Sequence, residues 1–154
     1  MKKVISLAMS FAAVALIFTS CGSDDETKPE AVTTTANISG IVKAATNDTL
    51  DDPRLPIQGV QIHASINMGD VALNYDPSFD YENRTFTATT NADGEYSLDV
   101  TAGNSPVDVT ILGDDARLEV VLTDSTSEMR TFRVNTANVS VVGGQNVILD
   151  LEYN

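Results

Sequence analysis

Thr89-Thr90-Asn91-Ala92-Asp93-Gly94-Glu95-Tyr96 sets a turn between two alternating segments, and its reading decides the fold. Asp93 tolerates a positive φ and Gly94 reaches it without steric cost, so Asp-Gly between such runs predicts a hairpin in which the flanking strands pair. Upstream, Arg84 to Thr90 alternates Phe86 and Ala88 with threonines. Downstream, Glu95 to Thr101 alternates Tyr96, Leu98 and Val100 with Ser97 and Asp99. Successive side chains of a strand point to opposite faces, so each run can bury one face and wet the other.

The same period runs outward in both directions. Asn37 to Ala45 puts Ile38, Gly40, Val42 and Ala44 on one side; Gln58 to Ile66 turns Val60, Ile62, Ala64 and Ile66 inward and leaves Gln61, His63 and Ser65 outward. Val107 to Leu112, Arg117 to Thr123, Met129 to Val134 and Val139 to Tyr153 follow, the last broken by Gly143-Gly144. No stretch after residue 36 carries a sustained apolar repeat at helical spacing. Seven or eight short strands at this spacing predict an all-β chain with one sandwich domain over residues 36–154.

The amino-terminal end reads differently. Lys2 and Lys3 precede an apolar run of 15 residues, Val4 to Phe18, which is a secretory signal and too short to span a bilayer. Thr19-Ser20-Cys21 then resembles a bacterial lipobox, which implies a signal peptide over residues 1–20, cleavage before Cys21 and thioether lipidation of that cysteine. A lipidated amino-terminal cysteine holding several acyl chains is kept on a membrane almost permanently, whereas one chain binds marginally. Ser23, Asp24, Asp25 and Glu26 resemble the acidic export signal that sends Bacteroidota lipoproteins to the outer face of the outer membrane. The competing readings are an unmodified thiol behind an ordinary secretory signal, and acids that merely begin a solvated linker. From Cys21 to residue 35, Ser, Asp, Glu, Pro and a threonine run offer little to bury, which predicts a flexible tether.

Charge removes several function classes. Without the signal the chain keeps seven basic residues against 22 acidic, a net charge of −15. Nucleic acid and anionic lipid are poor partners for such a surface, because both are recognised through clustered Lys and Arg. No cysteine follows Cys21, so no intrachain disulfide forms and the domain rests on its apolar core.

Pro56-Ile57-Gln58-Gly59-Val60-Gln61-Ile62, the Thr89 to Tyr96 turn with Leu98, and Val100-Thr101-Ala102-Gly103 together resemble the carboxypeptidase regulatory-like family. The resemblance covers about residues 37–152 and implies a transthyretin-like, immunoglobulin-like β-sandwich. Two departures stand out. Leu112-Gly113-Asp114-Asp115 replaces the family's common Gly-Tyr strand end, and the usual short link before the turn is stretched into Asn67 to Asn83. That insertion interleaves Tyr75, Phe79 and Tyr81 with Asp76, Asp80 and Glu82, which makes it the candidate binding loop for a protein groove or a sugar ring. The alternative is that its aromatics form a small satellite core or an extra edge hairpin.

Catalysis and metal binding are hard to assemble from these residues. Asn91, Asp93 and Glu95, or the loop acids, offer hard oxygen ligands for calcium, but neither set has EF-hand order, and the expectation is no metal and no cofactor. His63 is the only histidine, so a nucleophilic triad would have to use it and a zinc site would lack partners. A glycosidase pair of carboxylates needs a deep cleft that a small sandwich without Trp does not promise. Asp48-Thr49-Leu50 and Asp124-Ser125-Thr126 resemble the O-glycosylation sequon of exported Bacteroidota proteins.

The sequence therefore points to a non-catalytic surface lipoprotein acting as an adhesion, scaffolding or assembly module. Its expected partners are a membrane through Cys21 and a surface protein or glycan. The rival is a glycan-binding accessory lipoprotein of a nutrient uptake system. A third reading, polymerisation by strand exchange, would use the uninterrupted alternation from Val147 to Leu151.

Overall fold

The computed structural model describes residues 34–154, so Cys21, Ser23, Asp24, Asp25 and Glu26 lie outside the described residues. Its strands run β1 (Thr35–Ala45), β2 (Arg54–Pro56), β3 (Gln61–Asn67), β4 (Asn83–Thr89), β5 (Glu95–Thr101), β6 (Val107–Gly113), β7 (Ala116–Thr123), β8 (Thr126–Phe132), β9 (Ala137–Val141), β10 (Asn146–Ile148) and β11 (Leu151–Tyr153). One short 3-10 turn, Met68–Val71, interrupts the series.

β1 organises the first sheet. Its first half pairs antiparallel with β5, its last residues with β2, and its opposite side takes β10 and then β11 in parallel. The second sheet is antiparallel throughout, in the order β4-β3-β6-β9, and β7 pairs with β8 as a ribbon. The two inner faces meet in one apolar core. Ile38, Val42, Leu98 and Val100 from the first sheet join Ile62, Ile66, Val109, Ile111 and Val141 from the second, with Val120 and Phe132 from the ribbon. The chain is thus all-β and sandwich-like, as its alternation predicts.

Gly40 is where the first sheet departs from regularity. A Cβ there would lie 2.0 Å from the Leu149 carbonyl oxygen, so only glycine lets that backbone pass. The Leu149 carbonyl accepts a hydrogen bond from the Tyr96 hydroxyl at 2.6 Å, and Tyr96 is the cross-strand partner of Gly40. Ile41 N–H turns instead to the Asp150 carboxylate, 2.9 Å away. Register with β1 is the same before and after this step, so β10 and β11 are one strand pulled locally off its ladder. The Val147 to Leu151 run is therefore interrupted, contrary to its reading as continuous.

A second tyrosine ties the two sheets together. Tyr153 on β11 crosses to the end of β6, where its hydroxyl donates to the Asp114 carbonyl at 2.9 Å. Gly113 makes room, since a Cβ there would stand 1.9 Å from the phenol oxygen.

Two further expectations are corrected. Asp93-Gly94 does not close a hairpin: β4 pairs with β3 and β5 with β1, so the turn carries the chain from one sheet to the other. A two-residue hairpin turn of the Asp-Gly kind needs positive φ at both central residues. Gly94 has φ 71°, but no non-glycine residue among those described has a positive φ, Asp93 included. The turn is instead wound around Asn91, whose side-chain oxygen accepts the amides of Asp93 and Glu95, both at 2.9 Å. Thr90 is buried and holds Val60 through both its backbone and its hydroxyl, while the Gly94 carbonyl accepts from Val42 N–H at 2.8 Å. Among the described residues the strand count also rises from the seven or eight expected to eleven. β2 adds one short strand, and the run from Val139 to Tyr153 divides into β9, in the second sheet, and β10 and β11 in the first.

Gly94→Val should lower stability by about 1–3 kcal/mol, since it forces a β-branched residue to positive φ. Its Cβ would also stand 2.7 Å from the Val42 carbonyl oxygen and 2.8 Å from Pro56 Cβ. A fall in the urea midpoint checks this, and an unchanged midpoint contradicts the turn.

The two buried tyrosines generate a pH prediction. Burial, followed by the nearby Asp150, pushes Tyr96 up to about 12. Burial also pushes Tyr153 up to about 12, aided by Asp114 and then Asp115. An unfolded tyrosine loses its proton near pH 10, so between pH ~10 and ~12 the folded chain holds protons that the unfolded chain has released. The stabilisation is complete below pH ~10 and is lost as pH rises through ~12. Urea midpoints should fall across that window, and Tyr96→Phe should remove about one proton from the slope; a flat profile to pH ~12 would contradict it.

Candidate functional site

The insertion from Asn67 to Asn83 is built from its base upward. Asn67 ends β3 and caps the 3-10 turn, its side-chain oxygen accepting from Gly69 N–H at 2.8 Å. Its amide nitrogen donates to the Tyr81 carbonyl at 3.3 Å and to the Asn83 side chain at 3.2 Å. Met68 N–H donates to the Glu82 carbonyl at 3.0 Å, which closes the base of the loop. Val71 is buried in the main core and Met68 packs against it, so the loop is attached to the sandwich by apolar contact as well.

Its outer half is a β-turn, Asp76-Pro77-Ser78-Phe79, closed by Phe79 N–H donating to the Asp76 carbonyl at 3.1 Å. Asp at the first position and Pro at the second suit such a turn. The Asp76 carboxylate accepts from the Ser78 hydroxyl at 2.6 Å and the Ser78 amide at 2.9 Å, which holds its pKa below the usual carboxylate value.

This turn brings the three predicted aromatics together. The Tyr81 ring lies against Gly69, where a Cβ would come within 3.1 Å of it, and its hydroxyl accepts from Asp76 N–H at 2.9 Å. Phe79 meets Tyr81 edge-on with centroids 5.0 Å apart, and Tyr75 stacks on it at 5.4 Å with an interplanar angle of 13°. Such pairs contribute about 0.5–1.5 kcal/mol beyond burial. Phe79 and Tyr81 are half-buried and form the support, while Tyr75 is 66% exposed and presents its outer face to solvent. Leu73, 59% exposed, stands two residues away. Sequence reading passed over Leu73; a lone leucine in a polar loop was its only signal.

The other candidates are differently placed. His63 lies on the outer face of the second sheet, its Nε2 3.1 Å from Asp114 Oδ1 and its Nδ1 3.3 Å from Thr87 Oγ1. The order hydroxyl, imidazole, carboxylate is that of a nucleophilic triad, but Thr87 and Asp114 are exposed on a sheet face, where the chain forms a solvated hydrogen-bond network. Asn91, Asp93 and Glu95 are occupied with their own turn, Asn91 also donating to Glu95 Oε2 at 3.0 Å. Among the described residues no group of three or more His, Cys, Asp or Glu is placed to hold a metal ion. An open groove of about 550 Å³ lies beside Gly40 and Tyr96, bordered by Ala88, Asp150 and Ile148. Thr49 and Ser125, the sequon-like residues, are both exposed in turns.

No protein-family model matches the chain, and no curated protein matches it. Among solved structures it is similar to the major plantain pollen allergen Pla l 1, at 14% identity and a TM-score of 0.40, covering 78% of this chain and 94% of that one. It is also similar to the dioxygenase domain of a dioxygenase and carbohydrate-binding protein fusion from the cellulolytic bacterium Streptomyces sp. SirexAA-E. There the identity is 11%, the TM-score 0.37, and 82% of each chain is covered.

Proposed function

We propose that this chain is a non-catalytic lipoprotein of the outer membrane, exposed at the cell surface and anchored through Cys21. In this reading it acts as an adhesion, scaffolding or assembly module whose carboxypeptidase regulatory-like sandwich carries the docking loop. The observation that supports the reading is the aromatic tip: Leu73 and Tyr75 are exposed on a loop whose backbone is pinned at both its base and its turn. Apolar and aromatic side chains held in this way lose little entropy on binding, and tyrosine is enriched among residues that dominate interfaces. The amino-terminal sorting residues Ser23, Asp24, Asp25 and Glu26 supply the address.

A second reading, a glycan-binding accessory lipoprotein of a nutrient uptake system, is favoured by one feature. Tyr75 presents a flat ring face already backed by Tyr81, which is the surface that a sugar ring stacks on.

The test uses variants that spare the supporting rings. Leu73→Ser with Tyr75→Ala should leave the domain folded and lower its stability by no more than about 0.5–1.5 kcal/mol, the contribution of the Tyr75–Tyr81 stack. It should lower binding to a surface-protein extract by roughly tenfold or more, the loss of one hot-spot contact. Loss of signal on a glycan array instead would select the second reading. A variant that binds everything wild type binds would move the working surface elsewhere. Cys21→Ser, which cannot form the thioether, should abolish fatty-acid labelling, and label retained on that variant would remove the anchor.

A further inference from the structure

We infer that the aromatic loop faces back toward the membrane and docks on a protein held in that same membrane, one that presents a basic rim around an apolar pocket. The inference rests on the lipoprotein reading and adds to it the direction of the working face and the chemistry of the partner.

The direction follows from the strand pairing. The described chain enters at Thr34, whose hydroxyl donates to the Ala102 carbonyl, and Thr35 pairs with Thr101 at the end of β5. Gly144 N–H donates to the Thr35 carbonyl and Gly143 N–H to that of Gly103, both at 2.7 Å, so the β9 to β10 link lies at this end too. β6 starts here, with Val107 opposite Val141. β3 runs antiparallel to β6, with Ser65 opposite Thr110, and therefore finishes at Asn67 beside the start of β6. The loop from Asn67 to Asn83 thus hangs from the same end of the sandwich at which the chain enters. Ala45, Asn47 and Val121 mark the other end, and the β7 to β8 turn with Ser125 lies beyond them.

Residues 22–33 can span at most about 40–45 Å when fully extended, since each residue covers no more than about 3.6 Å. Through a segment of that reach the entry end is the part of the domain kept nearest the bilayer, and the opposite end the part held farthest from it. Leu73 and Tyr75 then stand between the sandwich and the membrane.

The partner's chemistry follows from what surrounds those two side chains. Asp70, Asp76, Asp80 and Glu82 are all exposed on the loop, and the neighbouring base, Arg84, is stacked over Phe86 at 5.3 Å. A bare lipid surface carrying anionic headgroups repels such a rim, and Leu73 with Tyr75 supplies too little apolar area to overcome four carboxylates. A protein pocket that accepts Leu73 and Tyr75 and surrounds them with Lys or Arg matches both features.

The experiment places a photo-crosslinking residue at position 75 or at position 125 of the full-length chain, in the cells that produce it. Expected is a discrete adduct from position 75 to a protein that stays in the membrane after alkaline extraction, and none from position 125. The adduct should disappear with Leu73→Ser and fall roughly tenfold or more in about 0.5 M salt, where screening shortens to about 4 Å. Adducts to lipid alone, equal yields from the two positions, or a yield indifferent to salt would each overturn the inference. The lipoprotein reading is scored separately by fatty-acid labelling: if Cys21→Ser keeps its label, that reading fails and the inference falls with it. Loss of label from Cys21→Ser combined with no position-75 adduct in wild type leaves the anchor standing and removes the docking partner.

Discussion

The Leu149 carbonyl reaches over Gly40 to the hydroxyl of Tyr96, and this contact holds the first sheet together across three strands. β1 has neighbours on both sides, and at Gly40 those neighbours touch each other because nothing stands between them. The terminal strand gives up one backbone bond to β1, and Tyr96 and Asp150 satisfy the two groups that are freed. The Leu149 carbonyl is part-buried, where an unpaired polar group costs about 1–3 kcal/mol, whereas the Ile41 bond is exposed to water. Because register is preserved through the step, β11 arrives in place to send Tyr153 across to Gly113 and Asp114. The seam within the first sheet and the tie between the sheets are therefore consecutive events on one strand.

The loop depends on that frame indirectly. β3 and β4 hold its base, with Asn67 opposite Asn83, and the core that fixes them is closed from the other side by β1, β5 and β11. On this base the loop adds its own order: Asn67 at the root, Asp76 at the turn, and Tyr81 between them as a post on which Tyr75 rests. The result is an exposed aromatic whose position is set before any partner arrives, in the way rigid scaffolds usually present binding loops.

Much of the sandwich was legible because burial at period two is a local property. The inward sets on β1, β3 and β5 read directly from alternation, and each is buried as read except for Gly40, which is half-buried. Pairing was not legible in the same way. Asp93-Gly94 looks like a hairpin because its dipeptide matches one, yet Asn91 winds the turn locally while the buried Thr90 holds Val60 and Gly94 holds Val42, residues that lie tens of positions away. Gly40 reads as a gap in an apolar stripe; that Leu149 fills it is a non-local fact. In the candidate site, aromatic density in a long insertion marked Tyr75, Phe79 and Tyr81, but their division into support and exposed face depends on Gly69 and Asp76, and Leu73 gave almost no signal. The end of the sandwich from which the loop hangs follows only from the order of strands.

The seam at Gly40 is best measured by a double-mutant cycle between Gly40→Ala and Tyr96→Phe, with stability read from urea unfolding. An alanine at position 40 should displace the Leu149 carbonyl and so break the bond that Tyr96→Phe also removes. The two losses should then overlap, with a coupling of about 0.5–3 kcal/mol, as for residues sharing one contact. Losses that add to within about 0.3–0.5 kcal/mol would show that Gly40 and Tyr96 act independently and would contradict the seam.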